Sequence, residues 1–141
     1  MARILDGITV LDLSTGPAAA LATMFLGDHG ARIVRIIDRG ASPHRDGGYA
    51  VWDRGKECVA LDLATASLDA PQSLYRQLVA GADVLVEDFA PSAPLQRLVD
   101  WCELASVNPR LVHCSITAYG KKGPLKDEPP IEDLVLARMG V

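Results

Sequence analysis

Along the chain, short runs dominated by branched aliphatic residues alternate with longer stretches in which apolar side chains recur at helical spacing. Ile8 to Leu13, Arg32 to Ile37, Cys58 to Leu63, Asp83 to Glu87 and Leu111 to Ile116 read as strands, and their Val and Ile content suits a sheet buried on both faces. Between them, Ala18 to His29 reads as a helix that Gly30 stops in the left-handed conformation, with Leu21, Met24, Phe25 and Asp28 at helical spacing. Ser67 to Ala80 reads as a second helix, with Asp69 as N-cap, Pro71 in the first turn, Leu74, Leu78 and Val79 facing inward, and Gly81 as the stop. A third starts near Pro94, runs through Leu95, Leu98, Trp101, Cys102 and Ala105, and closes at Asn108-Pro109. Asp38 to Lys56, rich in Gly and charge, reads as a long loop, and Ile131 to Val141 as the start of another helix.

Strands alternating with helices imply right-handed βαβ crossovers, hence an α/β, Rossmann-like, mostly parallel sheet with flanking helices. Ligands of such sheets bind at the carboxyl ends of the strands, where this chain carries polar or Gly-containing loops after Glu87 and after Ile116. That organisation points to a nucleotide-handling enzyme.

Composition narrows the class. At 141 residues, 49% apolar and 23% charged, the chain is one globular domain. Its net charge of -4 and the lack of any basic run longer than Lys121-Lys122 argue against a nucleic-acid or anionic-membrane partner. No apolar run approaches a membrane span, and the amino terminus lacks the apolar core of a signal peptide, so the expected setting is cytoplasmic. Cys58, Cys102 and Cys114 are widely spaced, with neither a Cys-x-x-Cys pair nor a nearby His cluster, and read as buried structural thiols rather than metal ligands.

The turn Ser14-Thr15-Gly16-Pro17 joins a strand to a helix start, where backbone N–H groups and the helix dipole favour an anion. The dinucleotide pattern G-x-G-x-x-G is missing there, which weighs against NAD although Asp38 follows Gly16 at about the spacing of a ribose-binding acid. Arg39 suits an adenosine or a ribose phosphate instead. His29, His44 and His113 lie near no G-x-S-x-G elbow and read as structural or solvated.

The segments LDGITVLDLS, ATMFLGDHGARIVRI and DRGKECVALDL, with Glu87-Asp88-Phe89-Ala90-Pro91-Ser92 and Ala118-Tyr119-Gly120-Lys121-Lys122-Gly123-Pro124, together resemble the amino-terminal part of the class III CoA-transferases. That family also contains the α-methylacyl-CoA racemases. The resemblance implies that residues 1–141 are a CoA-binding Rossmann-like segment of a larger enzyme. CoA would meet Thr15, Gly16 and Pro17, with Asp38 and Arg39 near its adenosine, and Leu61, Asp88, Phe89 and Arg97 at further contact positions. CoA and acyl-CoA would be substrates rather than tightly bound cofactors, with a carboxylic acid as acceptor and an interlocked homodimer as the assembly.

The family's nucleophilic Asp, which attacks the thioester to give a mixed anhydride, is expected beyond Val141, with Glu132 at most auxiliary. This segment alone would then be inactive. Ile131 stands where the racemase branch carries a proton-transferring His, which favours transfer. Two departures stand out: Ala18-Ala19-Ala20 replaces Ala-Gly-Pro, and Asp88 replaces Asn. The rival readings are a racemase segment and a nucleotide-binding or interaction module without catalysis.

Overall fold

A computed structural model describes residues 3–40, 47–70 and 72–140, with the side chains of residues 47–49 left out. Five strands, β1 (Thr9–Leu13), β2 (Arg32–Asp38), β3 (Glu57–Leu61), β4 (Val84–Glu87) and β5 (Val112–Ser115), form one parallel sheet in the order β3-β2-β1-β4-β5. The helices are α1 (Pro17–Asp28), α2 (Gly47–Trp52), α3 (Leu74–Ala80), α4 (Trp101–Val107) and α5 (Glu132–Met139), with a 3₁₀ turn at Pro94–Val99. The α/β, Rossmann-like class read from the sequence is the class observed. Strand order reverses at β1: the chain first moves outward to β2 and β3, then returns to place β4 on the other side. A crevice opens at such a switch point.

Each strand sends alternate side chains to opposite faces. Leu11, Leu13, Val34, Ile36, Leu85 and Phe89 join Tyr75, Val79, Leu98 and Leu104 in the larger core. Val10, Ile33 and Val86 face the other way and pack with Ala19 of α1 and with Ala31. The alanines let α1 sit close to the sheet, while Leu21 and Phe25 of the same helix are exposed. Gly30 has φ of 110° and ends α1, as its position after His29 implies.

Asp12, on the α1 side of β1, is fully buried and accepts from Thr23 Oγ1 at 2.7 Å and from Lys56 Nζ at 2.8 Å. The Lys56 side chain is itself fully buried and also donates to Ala20 O and Thr23 Oγ1. With the Arg35–Asp53 and Arg54–Asp28 ion pairs, it fastens the segment after α2 to α1 and β2.

Several local expectations are corrected. The stretch read as one helix from Ser67 starts at Leu74 with Ser73 as N-cap, because Leu68 turns into the core and Asp69 N–H donates to Ser67 Oγ. Pro71 lies outside the described residues. Leu74 is exposed rather than inward, and Tyr75 takes the core position, donating its hydroxyl to Leu98 O at 2.6 Å. The third helix breaks at Asp100, whose carboxylate caps a fresh start by accepting from Cys102 and Glu103 N–H. The 38–56 loop contains α2, and His44 lies outside the described residues. All three cysteines are exposed rather than buried, Cys58 and Cys114 because they lie on the two edge strands β3 and β5.

Candidate functional site

A cleft of about 590 Å³ opens at the carboxyl ends of β1 and β4. One wall is the start of α1, from Thr15 to Ala18 with Leu21; Asp88, Ala90 and Pro91 form the floor. Ile116 to Tyr119, Lys126, Glu128 and Pro130 make the opposite wall, Glu132 and Val135 of α5 one end, and Trp52 the rim. The lining is largely apolar with a few polar groups, the usual character of a small-molecule site.

The consecutive carboxylates Glu87 and Asp88 organise this end of the sheet. Strand alternation turns Glu87 toward the larger core and Asp88 toward α1. Asp88 Oδ1 accepts from Thr15 N–H and Thr15 Oγ1, and its Oδ2 from Gly16 N–H, each at 2.7 Å. The carboxylate therefore occupies the head of α1, where an anion is favoured by the dipole. Burial raises its pKa above the ordinary aspartate value and, with the nearby charge of Glu87, outweighs the hydrogen bonds from Thr15 and Gly16.

Glu87 is fully buried. Its Oε2 accepts Phe89 N–H at 2.6 Å, while Lys121 Nζ approaches Oε1 at 3.2 Å. His113 Nε2 lies 3.3 Å from the same oxygen, close enough for an ion-pair contact without hydrogen-bond alignment. Burial alone would raise the Glu87 pKa, but His113, Ser115, the Phe89 N–H and the Lys121 charge together lower it to about 2. Glu87 is thus a stable anion. No Ser-His-Glu relay is formed at this carboxylate, because neither His113 Nε2 nor Ser115 Oγ makes an aligned hydrogen bond.

Of the residues proposed from the sequence, Thr15, Gly16, Pro17, Asp88 and Glu132 converge on the cleft. The others lie elsewhere in this arrangement. Phe89 is buried in the larger core. Asp38 accepts Gly40 and Leu63 N–H, and Arg39, which is exposed, donates its backbone N–H to Leu61 O, so these three residues tie the ends of β2 and β3 together. Arg97 donates to the carbonyls of Leu63, Ala64 and Ala66 and fastens the turn after β3. The sequence reading missed Trp52, Lys126 and Val135. Their only signal was proximity to the Gly- and Pro-punctuated segments that turn out to frame the cleft. Among the described residues, no group of three or more His, Cys, Asp or Glu side chains is placed to hold a metal ion, and no helix is long and apolar enough to cross a membrane.

The sequence profile of CoA-transferase family III matches residues 5–141. The acetyl-CoA:oxalate CoA-transferase of Acetobacter aceti is 32% identical over 96% of this chain and 37% of its own length. The succinyl-CoA–L-malate CoA-transferase beta subunit of Chloroflexus aurantiacus is 30% identical over 97% of this chain and 36% of its own. The crystal structure of Rv3272 from M. tuberculosis superposes with a TM-score of 0.81 at 32% identity, covering 99% of this chain and 41% of that one. This chain therefore spans well under half the length of these relatives.

Proposed function

The chain belongs to CoA-transferase family III, and on that footing we propose that it is the CoA-binding amino-terminal portion of an acyl-CoA:carboxylate CoA-transferase. The whole enzyme moves CoA between carboxylic acids through an aspartyl acyl intermediate, as a homodimer, with acyl-CoA and a free acid as its two substrates. The supporting observation is the position of the cleft: it lies at the strand-order switch point, between the head of α1 and the loop after β5.

Each part of the site has a physical task in this reading. The apolar walls from Pro17, Leu21, Trp52 and Val135 exclude water from a thioester and its acyl chain. Pro17 has no backbone N–H, and Thr15 and Gly16 N–H are engaged by Asp88, so the first residue of α1 that brings an open backbone donor to the cleft lining is Ala18. Anionic phosphates are kept from the head of α1 by the Asp88 charge and are better placed beside the exposed Arg39 at the end of β2. The nucleophile is an Asp outside residues 1–141, because a carboxylate must be fixed within reach of the thioester carbon and those in the cleft have other settings: Asp88 is held by α1, Glu128 is half-exposed beside Arg138, and Glu132 is exposed in the first turn of α5.

Calorimetric titration with CoA, 3′-dephospho-CoA and NAD tests the binding reading. CoA should bind more tightly than NAD; tighter NAD binding overturns it. Exchange of labelled CoA into acyl-CoA tests the division of labour. Residues 1–141 alone should give no exchange, and exchange abolished by Glu132→Gln would place the nucleophile within the chain.

A further inference from the structure

The loop between β5 and α5 forms one wall of the cleft with residues 117–119, 126, 128 and 130, yet its fastening to the body of the protein lies outside the cleft. Lys121 crosses the end of the sheet to reach Glu87 on the larger-core side, 3.2 Å away. Gly120 and Gly123 flank it with φ of 79° and 101°, so the backbone reverses on either side of the lysine at positions where other residues would be strained. Farther along, Arg138 lies over the Tyr119 ring at 5.3 Å and approaches Glu128 at 4.0 Å, which joins α5 to the same wall. No residue of α5 is buried. The loop and α5 thus form a unit that packs lightly against the sheet, and Lys121 ties it to a fully buried group.

We propose that Glu87 and Lys121 form a latch that holds the 117–130 loop in place and sets the position of the cleft wall, making Lys121 a positioning residue for the ligand without touching it. The ligand part of this inference rests on the CoA-binding reading above. Glu87 suits the task because its place is fixed by β4 pairing and by the Phe89 N–H, and its charge does not depend on Lys121 alone: His113 of β5 lies 3.3 Å from it, and the Ser115 Cα is its register partner. Lys121 keeps 43% of its side chain exposed, so the latch is able to open without burying an unpaired ammonium. The asymmetry of a fixed buried anion and a half-solvated cation on a glycine-flanked turn is what a releasable tether requires. A permanent structural pair would bury both partners, as Lys56 and Asp12 do.

The test compares the protein with its Lys121→Met and Lys121→Arg variants by hydrogen exchange and by calorimetric titration with CoA. In Lys121→Met, exchange across residues 116–126 should accelerate on the order of tenfold, the loss of one charge-assisted contact to a buried partner, while the amides of β1 and β4 keep their rates. CoA affinity should fall by a similar factor, and Lys121→Arg should restore both. Unchanged exchange in the loop refutes the latch. Faster loop exchange with unchanged CoA affinity refutes its role in shaping the cleft. Faster exchange in β1 and β4 as well means that Lys121 supports the fold as a whole and also counts against the proposal. If the unaltered protein binds no CoA, the functional reading falls, and exchange at 116–119, the part of the segment that lines the cleft, alone decides the latch.

Discussion

Replacing Asp88 by Asn should strengthen CoA binding while weakening the fold, and the opposite signs make the outcome diagnostic. Asp88 serves three donors with two oxygens, Thr15 N–H, Thr15 Oγ1 and Gly16 N–H, all at 2.7 Å. An Asn amide offers one acceptor oxygen, so at least one donor loses its partner, at a cost of about 1 kcal/mol. The charge itself is disfavoured by burial, which raises the Asp88 pKa, so its removal offsets part of that loss. The fold should therefore lose at most about 1 kcal/mol. For a ligand the balance reverses. Two phosphate charges about 8 Å away, at an effective dielectric of about 60, repel the carboxylate by about 1.4 kcal/mol, equivalent to about tenfold in Kd. Titration of CoA into both proteins at about 50 mM and about 1 M salt should show that gain at low salt and most of it gone at high salt, where the screening length falls to about 3 Å. Weaker CoA binding in parallel with weaker folding, or a gain indifferent to salt, would refute the claim that Asp88 acts on the ligand through its charge.

Four further outcomes follow from buried polar groups. Glu87, with its folded pKa lowered from 4.5 to about 2, contributes stability that is present above pH 4.5 and lost as the pH falls toward 2, worth about 3 kcal/mol in full; urea melts at pH 6 and pH 3 should show about 2 kcal/mol of that loss, reduced in Glu87→Gln. Asp88 works in the opposite direction, since its raised pKa favours proton uptake by the folded form, so Asp88→Asn should make the acid loss steeper. Lys56→Met should cost about 3–5 kcal/mol by leaving Asp12 charged and buried, and adding Asp12→Leu should recover part of it, as measured by denaturant midpoints. Tyr75→Phe should cost about 1–2 kcal/mol through the lost bond to Leu98 O, without affecting CoA titrations.

The strands and their parallel order were legible because burial on both faces leaves a strong mark, a run of Val, Ile and Leu bounded by turns, and because βαβ handedness leaves few ways to connect such runs. Helix limits were less legible wherever a side chain had two uses. Leu68 serves the core better outside a helix than within one, and Asp100 caps a new helix more effectively than it continues an old one. The cysteines misled for a related reason: a thiol is apolar enough for a core, but the sequence does not say which strands lie at the edges, and edge position leaves Cys58 and Cys114 exposed. At the candidate site, the turn Thr15-Gly16-Pro17 and the Glu87-Asp88 pair were visible as motifs, yet their division of labour was not. It depends on two facts that only three-dimensional placement supplies, that β4 lies beside β1 and that β4 ends with Glu87 on one face and Asp88 on the other. One residue of register would exchange them, sending Asp88 toward Lys121 and Glu87 toward the head of α1. Both the anion held against α1 and the tether proposed for the opposite wall therefore rest on the same alignment, Val10 with Val84 through Leu13 with Glu87.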